Sequence, residues 1–146
     1  MSPSLAAFLA EHAFSPDNLS ATQADGRFTP LMRAAKAGRL DMVEALLGQG
    51  VDLAVLNADG CNALWLACYN GSHKIIERLI GAGIAIDNQN GNGATCLMYV
   101  ASNSKPDLVQ LQLEKSANAQ LKNFDDFSAL DLAASPACLK LLRKFA

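Results

Sequence analysis

Apolar residues occur in adjacent pairs that return three or four positions later: Met42 and Val43 with Leu46 and Leu47, then Ile75 and Ile76 with Leu79 and Ile80. That spacing is helical and leaves the opposite face polar. A third pair, Leu108 and Val109, keeps the register, although Gln112 stands where Leu46 and Leu79 do. Ahead of each pair runs another short apolar segment. TPLMRAAKAG starts at Thr29, NALWLACYNG at Asn62, TCLMYVASNS at Thr95 and SALDLAASPA at Ser128, a constant step of 33 residues. Leu31, Leu64, Leu97 and Leu130 form one column; Ala34, Ala67, Val100 and Ala133 form a second; Ala35, Cys68, Ala101 and Ala134 form a third. Such a period marks a repeat protein in which each unit buries its apolar face on its neighbours. Each unit is predicted to hold two short helices. Gly38 and Gly71 fall between them, and Gly50 and Gly83 follow the second, where a left-handed residue ends a helix at low cost. Polar connections such as NADG and NQNGNG lead to the next unit through tight turns.

A 33-residue unit with a TPL-like helix start, an alanine pair, an NG turn, an apolar second helix and a GVDL exit resembles the ankyrin repeat, over about residues 24–146. The resemblance implies an all-α fold, a solenoid of helix-turn-helix units with short hairpin-like loops. It implies about four repeats, near 24–56, 57–89, 90–122 and a truncated 123–146. Residues 1–23 would supply an N-terminal capping helix and its lead-in, built on SLAAFLAEH. Lys140, Arg143 and Lys144 give the last helix a polar face suited to a terminal cap. The sequence also departs from the family. Where the family has a histidine after the motif leucine, this column reads Met32, Trp65, Met98, Asp131. An extra residue between Gly26 and Thr29, and Asp126 in place of the turn glycine, predict irregular first and fourth hairpins. Gln112, Ser104 and Ser116 make the third unit the one expected to pack least tightly.

Composition narrows the function. At 146 residues and 51% hydrophobic content there is material for one domain with a real core. A formal charge of −2 argues against a nucleic-acid partner. No Lys or Arg precedes Arg27, so no secretory signal is expected, and no apolar run reaches the length needed to cross a bilayer. A soluble, cytoplasmic, monomeric protein is predicted. The four cysteines form no CxxC pair and have no histidine at ligand spacing, which argues against zinc and for reduced thiols.

No catalytic constellation, cofactor or metal site is expected. Cys68 shares a column with alanines and reads as a small buried hydrophobe. A thiol hydrolase built on Cys61 is the rival from another class, but His12 and His73 sit at unrelated register positions. Asp125 and Asp126 read as solvated turn acids, and GNG at 91–93 as turn chemistry without the Lys-Ser or Lys-Thr of a phosphate loop. The expected function is binding of another protein. Trp65 and Tyr69 lie four residues apart on one helix face, with Met32 and Met98 in Trp65's column, and together predict an aromatic and methionine stripe that anchors a partner. Two readings of Trp65 stand: an exposed anchor, or a filler for the missing histidine. The resemblance further nominates hairpin tips and the adjacent helix face: Asp59, Cys61, Asn70, Asn92, Asn103, Phe124, Asp125 and Phe127. Phe124 and Phe127 flank an acidic pair, as an exposed hot spot or as residues buried under the last helix. A structural repeat that self-associates through the stripe is the third reading.

Overall fold

The computed structural model describes residues 1–145, which are helical apart from turns and a single antiparallel bridge between Lys122 and Ser128. The chain divides into two compact units, residues 1–85 and residues 86 onward.

The first unit holds α1 (Pro3–Glu11), α2 (Pro30–Lys36), α3 (Leu40–Gly48), α4 (Ala63–Asn70) and α5 (His73–Gly81). Helix α2 packs on α3 and α4, α4 on α5, and α1 lies against α3. Apolar periodicity explains the arrangement: Leu5, Phe8 and Leu9 of α1, Met42, Val43 and Leu46 of α3, and Ile75, Ile76 and Leu79 of α5 are all buried. Between paired helices the small residues Ala34, Ala35, Ala67 and Cys68 are fully buried, which lets the backbones approach closely.

The second unit holds α6 (Cys96–Ser102), α7 (Pro106–Glu114), α8 (Ala129–Leu132) and α9 (Pro136–Arg143). Helix α6 packs on α7 and α8, α7 on α9, and α8 on α9. Gln112 is fully buried where the other repeats place Leu46 and Leu79. Ser104 and Ser116 occupy the left-handed positions that glycines hold elsewhere, with φ of +56° and +68°. Each such residue costs about 1–2 kcal/mol of steric strain.

Every first helix of a repeat starts on the same device. Thr29 Oγ1, Asn62 Oδ1, Thr95 Oγ1 and Ser128 Oγ accept from the backbone N–H three residues on, at 3.2, 3.3, 3.2 and 3.3 Å. An N-cap of this kind contributes about 1 kcal/mol and fixes where the helix begins. The column that lacks the family histidine is therefore the third helical position. Met32, Trp65 and Met98 are buried there, whereas Asp131 is exposed and returns a hydrogen bond from Ser128 N to its carboxylate at 2.9 Å, closing a capping box.

The fourth repeat differs in where its first helix stops. Pro136 falls in the column of Ala37, Asn70 and Asn103, and a proline drives the residue before it out of the helical region. Ser135 is accordingly extended, with φ −137° and ψ 154°, and so is Ala133, with ψ 123°. Helix α8 is cut to one turn, and α9 begins three residues earlier than the spacing of α3, α5 and α7 predicts.

Candidate functional site

Three hairpin tips are built alike from one asparagine each. Asn57 Oδ1 accepts from Asp59 N and Cys61 N, both at 3.0 Å; Asn90 Oδ1 accepts from Asn92 N and Ala94 N at 2.9 and 3.0 Å; Asn123 Oδ1 accepts from Asp125 N and Phe127 N, both at 3.0 Å. In each, the N–H three residues after the asparagine donates to its carbonyl, at 3.0, 2.9 and 3.0 Å. Asparagine suits this place because its short side chain mimics a backbone acceptor. Gly60, Gly93 and Asp126 take the left-handed position, with φ of +78°, +75° and +67°.

The expectation of an irregular fourth hairpin is therefore corrected. Aspartate tolerates left-handed backbone better than most residues, and Asp126 is met by Lys122 at 3.6 Å. The first hairpin is irregular as expected. Gln23 N reaches Phe28 O at 2.9 Å across one residue more, with Gly26 and Arg27 both at positive φ.

On this common frame the nominated residues divide by exposure. Asp59, Asn92 and Asp125, equivalent positions of the three tips, are all exposed, and so are Asn70 and Asn103. Tyr69 is 43% exposed, Phe127 47% and Phe124 77%. Trp65 and Cys61 are each only 2% exposed, which corrects the stripe. With Met32 and Met98 at 1%, Trp65 fills the interior and offers nothing to a partner beyond support for Tyr69, whose ring centroid is 6.2 Å away. Cys61 lies under its hairpin, closed to the substrate that a thiol enzyme needs. All four cysteines are buried, and among the described residues none forms a disulfide.

The structure brings Asn92 and Phe124 together: Phe124 N donates to Asn92 O at 3.0 Å, and the Phe124 ring lies across Gly93, where a Cβ would sit 2.6 Å from Cδ1. Asn103 turns inward on its own helix, donating to Tyr99 O at 2.8 Å and Ser102 Oγ at 3.3 Å. Asn70 spans two repeats, donating to Lys36 O at 3.3 Å and packing on Gly38.

One cluster escaped sequence reasoning. The Phe28 ring is met by the Arg33 guanidinium at 4.1 Å and Lys36 Nζ at 5.4 Å. The signal was available as an aromatic just before an N-cap, followed by cations on the helix it opens. Among the described residues no group of three His, Cys, Asp or Glu side chains could hold a metal, and no helix is long and apolar enough to cross a membrane.

Comparison with known proteins agrees with this architecture. The family description "Ankyrin repeats (3 copies)" matches residues 3–90 and 64–145. Osteoclast-stimulating factor 1 of Bos taurus is 38% identical over 130 residues, covering 88% of this chain and 61% of that protein. The Gallus gallus protein of that name is 36% identical over 131 residues, covering 88% and 64%. This chain thus spans about three fifths of the length of these relatives. The solved ankyrin repeat domain of Bcl-3, a member of the IkappaB protein family, superposes with a TM-score of 0.82 at 25% identity, covering 91% of this chain and 59% of that one.

Proposed function

The chain belongs to the ankyrin repeat family, whose repeats are generally protein-interaction modules, and from that premise we propose that it is a non-catalytic adaptor that grips a partner protein by its hairpin tips and adjoining helix ends. The contact residues are Asp59, Tyr69, Asn70, Asn92, Asn103, Phe124, Asp125 and Phe127, with Phe124 and Phe127 as anchors. The protein acts as a monomer in the reducing cytoplasm, a setting that suits four cysteines outside any disulfide.

The observation that carries this reading is Phe124. Ala58 and Gly91 occupy its position in two hairpins with the same turn, so the backbone does not require an aromatic ring there. Leaving most of a phenylalanine in water forgoes about 1.5–3 kcal/mol of burial, which a docked partner would recover. Because the asparagine turns already hold the tips, little ordering entropy is lost on binding.

The test substitutes Phe124→Ala and Phe127→Ala together. Quantitative capture from lysate should show at least one protein retained by the native chain and depleted about tenfold or more by the variant, with an unchanged melting temperature. An identical set of captured proteins for both chains would end this reading.

A further inference from the structure

Phe28 and the two cations over it form a second surface, in the first unit, that the hairpin anchors do not use. Arg33 is fixed before any partner arrives. Its Nε donates to Gln23 Oε1 at 3.0 Å, Gln23 Nε2 donates to the His12 carbonyl at 2.7 Å, and Gln23 N donates to Phe28 O at 2.9 Å. The guanidinium is thus held by a relay that ends on backbone, and among the described residues its Nη atoms make no hydrogen bond. Lys36 directs its ammonium to the same ring while its carbonyl accepts from Asn70. Arg27, next to Phe28, is exposed in a strained left-handed conformation at φ +57°.

Arg39 of this unit pairs with Asp41 at 3.1 Å and Arg78 with Glu44 at 2.5 Å, whereas among the described residues no carboxylate pairs with Lys74, Arg27, Arg33 or Lys36, and of these four only Arg33 and Lys36 converge on one ring. The ring's negative face offsets each charge by about 0.5–1 kcal/mol but neutralises neither. Two like charges gathered on one ring are an arrangement that an anion completes, and an Arg fork favours the two oxygens of a carboxylate.

We infer that Phe28, Arg33 and Lys36 are a receptor for a glutamate- or aspartate-bearing segment of a partner protein. The contact from Lys36 to Asn70 places the exposed Tyr69 helix end next along the surface, as the continuation of the binding track. A phosphate backbone fits less well. It presents a charge every few ångströms and needs a string of cations. Here the exposed acids Asp25 and Asp59 sit in two hairpins joined by Ala58 N donating to Gly26 O at 2.9 Å.

Fluorescence anisotropy on the whole chain tests this with three probes: a fluorescein-labelled peptide alternating Glu and Leu, its Gln and Leu counterpart, and an oligothymidylate of equal charge. The Glu peptide should bind, and added salt should weaken it. Arg33→Gln and Lys36→Gln should each raise its Kd about tenfold, a loss of about 1.4 kcal/mol. Phe124→Ala should leave it unchanged. The Lys36 variant guards against misfolding, since among the described residues that side chain makes no hydrogen bond, and thermal melts check both. No binding of the Glu peptide, equal binding of the Gln peptide, tighter binding of the oligothymidylate, or native affinity in both variants would each overturn the inference. Because capture through Phe124 and Phe127 is read separately, either proposal can fail alone.

Discussion

The first and fourth repeats carry a phenylalanine at the same register position and give it opposite surroundings. Phe28 and Phe127 each directly precede an N-cap, Thr29 and Ser128. Phe28 is half-buried beneath Arg33 and Lys36, while Phe127 is exposed, because the columns that supply those cations read Leu132 and Ser135 in the fourth repeat. Backbone order runs the other way. The first repeat has the irregular hairpin and a fully buried alanine pair, Ala34 and Ala35. The fourth has the regular asparagine turn, yet Leu130 and Ala133 are only half-buried and Ala134 is exposed. A hairpin's regularity is thus a property of a few adjacent residues. Burial of the helix behind it depends on helix length and on what packs against it, and these two properties vary independently.

The largest test of that separation lies in the leucine column. Leu97→Ala should cost about 2–5 kcal/mol in urea unfolding, because Leu97 is buried and its removal leaves a cavity. Leu130→Ala, at a half-buried site that solvent can refill, should cost about 1 kcal/mol. Equal losses would mean that the one-turn α8 is as tightly packed as α6. An intermediate effect is expected at the turn position. Gly93→Ala should destabilise by about 1–2 kcal/mol through its left-handed backbone alone, and more where the new Cβ meets the Phe124 ring. Asp126→Gly should stabilise by up to about 1 kcal/mol by relieving the same strain one repeat later. If the second substitution destabilises instead, the ion pair from Lys122 outweighs the strain and the two turns are not equivalent.

The smallest effect concerns Asp131. The Ser128 backbone N–H, and then its hydroxyl, hold the Asp131 carboxyl below the ordinary carboxylate range. A depressed folded pKa stabilises the protein above the unfolded value and loses that contribution as pH falls through the folded value. Asp131→Asn should therefore lower the melting temperature slightly at pH 7, with the gap closing below about pH 4. A gap that persists in acid would assign the effect to hydrogen-bond geometry and not to charge.

Much of the fold was legible because local rules carry it. The N-cap at Thr29, Asn62, Thr95 and Ser128, the helical spacing of Met42, Val43 and Leu46, and the turn asparagines are each settled within a few residues, and the step of 33 repeats them. The candidate site was legible only in part. Exposure of Tyr69, Asn70, Asn103 and the tip residues Asp59, Asn92, Phe124, Asp125 and Phe127 agreed with their places in the repeat. Trp65 did not. Helical spacing put it on one face with Tyr69 but said nothing about what lies over that face, and its column filled the interior. Cys61 shared that fate, since the asparagine turn folds over it.

What the sequence determined by itself was the repeat, its helices and the chemistry of its turns, because hydrogen bonds between near neighbours have few solutions. Tertiary structure alone decided which phenylalanine is covered and which is bare, that two cations converge on Phe28, and that the tryptophan lies inside. Those outcomes depend on distances between side chains far apart in sequence or set at different angles around a helix, and such distances exist only once the helices have packed.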